Sequence, residues 1–159
     1  MLSVGDKAPN FKGIIQDGSE RSLADYKGKN LIVYFYPADN TPSCTAEGCS
    51  LRDNYKVLQK LNYEILGVSP DSARKHTNFI KKFEFPFDLF VDTDLEMTKS
   101  FGAFGWKKFM GKEYEGVLRS TFLIDGKGVI TAVIPKVKTK THGEQILEII
   151  ETQVNAKAN

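Results

Sequence analysis

A short apolar run, Leu31-Ile32-Val33-Tyr34-Phe35, stops abruptly at Tyr36-Pro37-Ala38-Asp39-Asn40-Thr41-Pro42-Ser43-Cys44-Thr45-Ala46-Glu47-Gly48-Cys49, and this junction constrains the chain more than any other stretch. Five apolar residues closed by a Pro-Asp-Asn-Thr-Pro turn cluster read as a buried strand. Leu51, Tyr55 and Leu58 then recur at helical spacing, and Asn40 to Ser43 offer several N-caps, so a helix is expected from this turn to about Leu61. Cys44 falls in its first turn, beyond the end of a central strand. The chain has two cysteines, and both are here.

The thiolate is the reactive form of cysteine, and a free thiol with a pKa near ~8.5 is only slightly ionised at neutral pH. A helix N-terminus, with its unpaired N–H groups and the positive end of the macrodipole, favours an anion. A free cysteine otherwise behaves as a small buried hydrophobe, but Thr41, Pro42, Ser43 and Thr45 make a poor apolar core. Cys44 is therefore expected to be reactive. Cys49 lies about 7.5 Å further along a continuous helix, whereas a disulfide needs its Cβ atoms about 3.5–4.5 Å apart. If both cysteines share one helix, they cannot bond until it locally unwinds. Gly48 lowers helix propensity by about 1 kcal/mol relative to alanine, which acts in that direction; it serves close packing equally well. A helix starting nearer Cys49 would weaken the conflict.

At 159 residues the chain reads as one domain, residues 1–159, with enough length to bury a sizeable core. Its 22 basic residues nearly balance 20 acidic ones, which argues against nucleic acid or an anionic membrane as a general partner. No apolar stretch approaches the ~20 residues of a membrane span. Met1 to Asp6 lack the basic and apolar regions of a signal peptide. Two cysteines do not make a disulfide scaffold, and a reducing, cytoplasmic location suits cycling thiols better.

Elsewhere, residues 11–16 read as a strand, Asp17-Gly18 as a hairpin signal and residues 22–26 as a short helical turn, together covering a sheet edge. Residues 63–69 form the next strand. Pro70-Asp71-Ser72 caps a helix reaching Phe83, with Phe79, Ile80 and Phe83 as its apolar stripe. Residues 85–92 are a short strand, and Leu95, Met97 and Phe101 sit on a helix ended by Gly102. Residues 103–116 read as a loop or hairpin facing a partner or rimming the active site. Residues 117–125 and 129–134 flank Asp125-Gly126-Lys127-Gly128, the clearest hairpin in the chain. Lys136, Lys138 and Lys140 form a solvated face. A last helix from Thr141 to about Val154 turns Ile146, Leu147, Ile149, Ile150 and Val154 to the core, and the tail beyond it is expected to fray. Two parallel βαβ steps, an antiparallel hairpin and a C-terminal helix outline an α/β fold, a central mixed sheet with helices on both faces. The pattern alone also allows a flavodoxin-like sheet.

Pro37-x-x-x-Thr41-x-x-Cys44 resembles the active-site motif of the peroxiredoxins. The longer pattern of Phe35-Tyr36-Pro37, Asp39-Asn40-Thr41-Pro42, Cys44-Thr45, Glu47, Cys49 and Arg52-Asp53 is similar to the peroxiredoxin Q (bacterioferritin comigratory protein) branch. Gly5-Asp6-Lys7-Ala8-Pro9-Asn10-Phe11 resembles the family's opening, and Arg119-Ser120-Thr121-Phe122-Leu123-Ile124-Asp125 its later strand. With the late hairpin, the resemblance implies a thioredoxin-like fold. It also implies a thiol-dependent peroxidase acting on hydrogen peroxide and alkyl hydroperoxides without cofactor or metal, as a monomer or weak homodimer.

In that reading Cys44 is the peroxidatic cysteine, whose thiolate becomes a sulfenic acid. The Thr41 hydroxyl hydrogen-bonds thiolate and peroxide, Pro37 shields the pocket from water, and Arg119, arriving on the hairpin strand, holds thiolate and peroxide together. Guanidinium suits that task because it presents several donors at once; the alternative for Arg119 is a solvated strand arginine. Glu47 matches a carboxylate that orients the pocket's hydrogen bonds, or is simply a favourable charge near a helix N-terminus. Cys49 matches the resolving cysteine, which forms an intramolecular disulfide that thioredoxin or a similar dithiol donor reopens. Ala38 stands where the branch usually has lysine, and Ser43 where it usually has glycine.

Rival chemistries find less support. His76 and His142 stand apart from the cysteines, without zinc-ligand spacing, and are expected at the surface. Asp88, Asp92 and Asp94 lack an EF-hand pattern and read as turn and N-cap residues. Aromatics among Lys107, Lys108 and Lys112 make too short a stretch for a nucleic-acid platform. A thioredoxin-type oxidoreductase would carry Cys-x-x-Cys. A redox sensor using the same disulfide to bind a partner is the non-enzymatic alternative, and catalytic turnover of peroxide separates the two.

Overall fold

The computed structural model describes residues 1–158. Strands β1 (Lys12–Ile15) and β2 (Glu20–Ser22) pair as a hairpin. Asp17 folds the chain back there by accepting the Ser19 N–H at 2.9 Å. Gly18, at φ 83°, takes the left-handed backbone that a β-carbon would oppose. After a 3₁₀ turn over Leu23–Tyr26 come β3 (Asn30–Phe35), α1 (Pro42–Asp53), α2 (Tyr55–Lys60) and β4 (Tyr63–Ser69). Then follow α3 (Ala73–Phe83), β5 (Asp88–Val91), α4 (Glu96–Ser100), β6 (Phe104–Phe109) and β7 (Lys112–Val117). The last elements are β8 (Ser120–Ile124), β9 (Ile130–Ile134) and α5 (His142–Ala158).

Seven strands form one sheet in the order β2-β1-β5-β4-β3-β8-β9. Strands β3, β4 and β5 run parallel, while β8 lies antiparallel against β3, which excludes the all-parallel flavodoxin-like alternative. The βαβ crossovers put helices over the sheet, so β3 is covered on both faces and reads as an unbroken apolar run. Its side chains alternate between two cores. Leu31, Val33 and Phe35 meet Phe11, Met97, Phe101 and Phe122. Ile32, Tyr34 and, just past the strand, Tyr36 meet Cys44, Leu51, Leu58, Phe79 and Ile146. Helices therefore lie on both faces, unevenly: α1, α2, α3 and α5 on one, and α4 with the N-terminal segment on the other. Among the described residues no helix is long and apolar enough to cross a membrane.

Several sequence expectations need correction. The single helix expected to reach Leu61 is broken at Asn54, whose side-chain amide donates to the Ser50 carbonyl at 2.8 Å and to Glu144 on α5 at 3.2 Å. That side-chain bond competes with the helix's own ladder. Residues 103–116 are a hairpin, β6–β7, forming a separate two-stranded sheet. Val117 pairs with Phe104 at its base rather than opening β8, and Arg119 sits in the two-residue link between β7 and β8. Asp88 is neither turn nor cap: inside β5 it pairs with Arg21 at 3.2 Å and accepts from Gln16 at 2.8 Å. Asp92 and Asp94 do cap α4, receiving the N–H groups of Met97, Thr98 and Glu96. Helix α5 continues to Ala158. Its Gln153 amide still reaches the Thr131 carbonyl, but Val154, the next residue round, is exposed rather than packed in the core. Of the tail expected to fray, Asn159 lies outside the described residues.

Candidate active site

Strand β3 delivers the chain to a loop pinned by Asp39. Tyr36 stacks on Tyr34 at 5.3 Å and donates its hydroxyl to Asp39 Oδ1 at 2.6 Å. Asp39 Oδ2 lies 2.7 Å from His76 Nδ1, and His76 Nε2 donates to the Phe90 carbonyl at 2.8 Å. The Asp39 N–H in turn donates to Asp71 at 2.7 Å. Asn40 takes the left-handed backbone at φ 61°, which asparagine tolerates better than most residues. With the loop fixed, Thr41 becomes the N-cap of α1 and Pro42 its first residue, where proline's missing N–H costs nothing.

Cys44 is thus the third residue of α1, at the C-terminal end of the central strand and only 1 % exposed. The first backbone bond across this turn runs from the Thr45 N–H to the Thr41 carbonyl, leaving the Ser43 and Cys44 N–H groups outside the helical ladder. Arg119 spans the turn: its Nη2 lies 3.2 Å from Cys44 Sγ and its Nη1 donates to Glu47 Oε1 at 2.6 Å. One rigid fork reaches two side chains on successive positions of one helix face. Glu47 is fully buried, and burial pushes its carboxyl up to about 7 even though Arg119 opposes the shift. Burial also draws Arg119 down, but Glu47 and Cys44 outweigh it and hold the guanidinium above its ordinary value.

Arg119 therefore contacts both Cys44 and Glu47. The Thr41 hydroxyl is not on the sulfur: it donates to the Ala38 carbonyl at 3.0 Å, so its proton is spent on the turn. Pro37 is half-buried between Tyr36 and that loop. Cys49 is half-buried on the same helix, and both cysteines are free thiols. Gly48 has a packing reason: a β-carbon there would fall 2.5 Å from Cζ of the Phe85 ring.

The two histidines expected at the surface are both completely buried. His76 anchors the Asp39 loop, and His142 comes within 3.6 Å of Glu47 Oε2. Each sits at helical spacing within an apolar stripe, His76 with Phe79, Ile80 and Phe83, and His142 with Ile146 and Ile150. That spacing was the available signal. Lys107 on β6, lowered by burial and by Arg119, also borders the site, an approach that only the fold creates.

A profile of the AhpC/TSA family matches residues 4–133. Peroxiredoxin Bcp of Bacillus subtilis is 42% identical over 150 residues, covering 94% of this chain and 96% of its own. Among solved structures, a mutant of Xylella fastidiosa PrxQ superposes with a TM-score of 0.89 at 30% identity, covering 97% of this chain and 98% of that one. Xanthomonas campestris bacterioferritin comigratory protein, described by its alkyl peroxide reduction activity, gives 0.84 at 33% identity over 90% and 91% of the two chains. The thioredoxin-like arrangement expected from the sequence is the fold shared with these structures.

Proposed function

Because the chain belongs to the AhpC/TSA family, as a thiol-dependent peroxidase of the Bcp and peroxiredoxin Q type, we propose that Cys44 is its peroxidatic cysteine and Cys49 the resolving one. The observation that carries this reading is the Arg119 fork, with one arm on Cys44 Sγ and the other on Glu47. The thiolate attacks one peroxide oxygen and the O–O bond breaks. Cys44–S⁻, ROOH and a proton give Cys44–SOH and ROH. Arg119 and the free N–H groups at the start of α1 stabilise the negative charge that moves from sulfur to the departing oxygen. Thr41 keeps a lone pair free for a peroxide O–H while its own proton holds the turn, and Pro37 walls the loop side.

Resolution follows when the Cys49 sulfur attacks the sulfenic sulfur, forming the disulfide and releasing water. On intact α1 the two cysteines are about 7.5 Å apart along the axis, so this step requires unwinding. The attachments of α1 confine that unwinding to its first half. Beyond Cys49, Ser50 Oγ accepts the Gly143 N–H at 2.9 Å, and Arg52 Nη1 donates to the Phe83 carbonyl at 2.8 Å. The substrates are hydrogen peroxide and alkyl hydroperoxides, the latter as described for the X. campestris relative. The reductant is thioredoxin or a similar dithiol, in the reducing cytoplasm. Both cysteines and Arg119 come from one copy of the chain, which fits a monomer or weak homodimer.

One equivalent of hydrogen peroxide added to reduced protein, followed by intact mass within seconds, tests the assignment. Wild type is expected to lose two hydrogens, Cys49→Ser to gain one oxygen on Cys44, and Cys44→Ser to stay unchanged. Oxidation in Cys44→Ser equal to wild type, or a wild type still reduced after minutes, overturns it.

A further inference from the structure

Glu47 is held from one side. Arg119 donates to its Oε1, while the buried Oε2 has no hydrogen-bond partner and faces His142 Nε2 at 3.6 Å. Neighbours fix the tautomer of that histidine. Gln145 Oε1 accepts the Lys138 N–H at 3.1 Å and its Nε2 donates to the Lys136 carbonyl at 3.0 Å, so flipping the amide would lose both bonds. The same Oε1 lies 2.9 Å from His142 Nδ1, which places a proton on Nδ1. In the neutral ring Nε2 is then a lone pair, and the Thr121 hydroxyl, 2.7 Å away, donates to it. A carboxylate oxygen and an imidazole nitrogen, both acceptors, thus face each other 3.6 Å apart, both fully buried.

We infer that His142 is a positioning residue of the peroxidatic centre: its Nε2, kept unprotonated by the Thr121 hydroxyl, offers Glu47 Oε2 no donor, so that carboxyl and imidazole compete for one proton and Arg119 alone holds the carboxylate. The inference rests on the peroxidase reading above. With the pair unprotonated, Glu47 draws the guanidinium at full strength. With one proton on the pair, Glu47 is neutral and the Arg119 charge is left to the Cys44 thiolate. His142 thereby sets the proton affinity of Glu47, and Glu47 sets how the Arg119 charge is divided. Burial places the shared proton, raising Glu47 to about 7 and lowering His142 to about 4. The other groups facing this pair are Cys44 on α1, Arg119 from the β7–β8 link and Tyr34 from β3, whose buried hydroxyl has no partner. Lys107 from β6 acts at one remove, through Arg119 and Cys44.

The test is a titration of reduced, full-length protein without peroxide. Infrared difference spectra follow the carboxyl C=O band of Glu47, assigned by its absence in Glu47→Gln, and ultraviolet absorbance follows the Cys44 thiolate. His142→Gln brings an amide N–H toward Oε2 and is expected to lower the Glu47 titration by about one pH unit, because a bond to the charged form favours it. Thr121→Val frees Nε2 to accept from the Glu47 O–H and is expected to raise it by about as much. The thiolate titration should move oppositely, up in His142→Gln and down in Thr121→Val. A purely structural histidine would produce no such opposed pair. An unchanged band, or shifts in the same direction, overturns the inference. Thr121→Val, nearly isosteric, decides alone if His142→Gln fails to fold: an unshifted band overturns the inference and an upward shift supports it. Since no peroxide enters, failure here is distinct from failure of the mass measurement.

Discussion

Replacing Glu47 with glutamine keeps the side chain's shape and removes its charge, so the effect on stability is expected to depend on pH. Burial holds the carboxyl at about 7 against an ordinary 4.5. Near pH 4 the group is protonated in the folded and unfolded states alike and contributes nothing. As pH rises through 4.5 the unfolded chain releases its proton while the folded chain keeps it until about 7, so wild-type stability falls across that window. At about 1.4 kcal/mol per pH unit, the loss comes to roughly 3 kcal/mol above pH 7. The attraction of Arg119 does not reverse the sign, because it is already contained in the value near 7. Glu47→Gln should therefore match wild type near pH 4 and exceed it by roughly 3 kcal/mol at pH 8. Urea unfolding of the reduced proteins at several pH values measures the difference. Midpoints that run parallel across the whole range would show that Glu47 titrates like an exposed carboxyl, and the reasoning would fail.

Arg119→Lys keeps the charge but cannot reach Cys44 and Glu47 at once, so the rate with peroxide is expected to fall about 100-fold. Stopped-flow oxidation reads that loss, and a change under tenfold would mean that charge alone suffices. Gly48→Ala sets about 1 kcal/mol of helix propensity against a β-carbon 2.5 Å from the Phe85 ring. Phe79 and Phe87 back that ring at 4.9 and 5.3 Å, so overpacking of roughly 1–3 kcal/mol should win and lower the melting temperature. A raised melting temperature would refute it.

The apolar run at β3, its turn and the cysteine-bearing helix were legible because each leaves a local mark: β-type residues, capping residues, helical spacing. Hairpin β8–β9 was legible from Asp125-Gly126-Lys127-Gly128 for the same reason. What was not legible depends on distant partners. His76 and His142 occupy apolar-stripe positions, yet spacing cannot say that Asp39 waits for one and Gln145, Thr121 and Glu47 for the other. The break at Asn54 involves Glu144, ninety residues on. The Thr41 hydroxyl, expected to bond the sulfur, donates to the Ala38 carbonyl in this structure, a bond set by the turn geometry. Arg119 was expected on the hairpin strand, and its position in a link instead followed from the register of β7, which pairs Val117 with Phe104.

The same buried carboxylate serves both halves of the proposed cycle. In intact α1, Glu47 holds one arm of Arg119 and so aims the other at Cys44. Yet an ionised Glu47 in that site costs roughly 3 kcal/mol above pH 7 relative to water, and it lies between the two cysteines, on the turns that must unwind. Unwinding returns it to solvent and relieves that cost. The second half of α1 has the opposite character: Leu51 is fully buried, and Ser50, Arg52 and Asn54 are tied to α5 and to the end of α3. The helix is thus firmly attached where it must stay and least comfortable where it must open, with Gly48 at the boundary, and raising the pH from 4.5 to about 7 tilts the balance toward the open, disulfide-forming state.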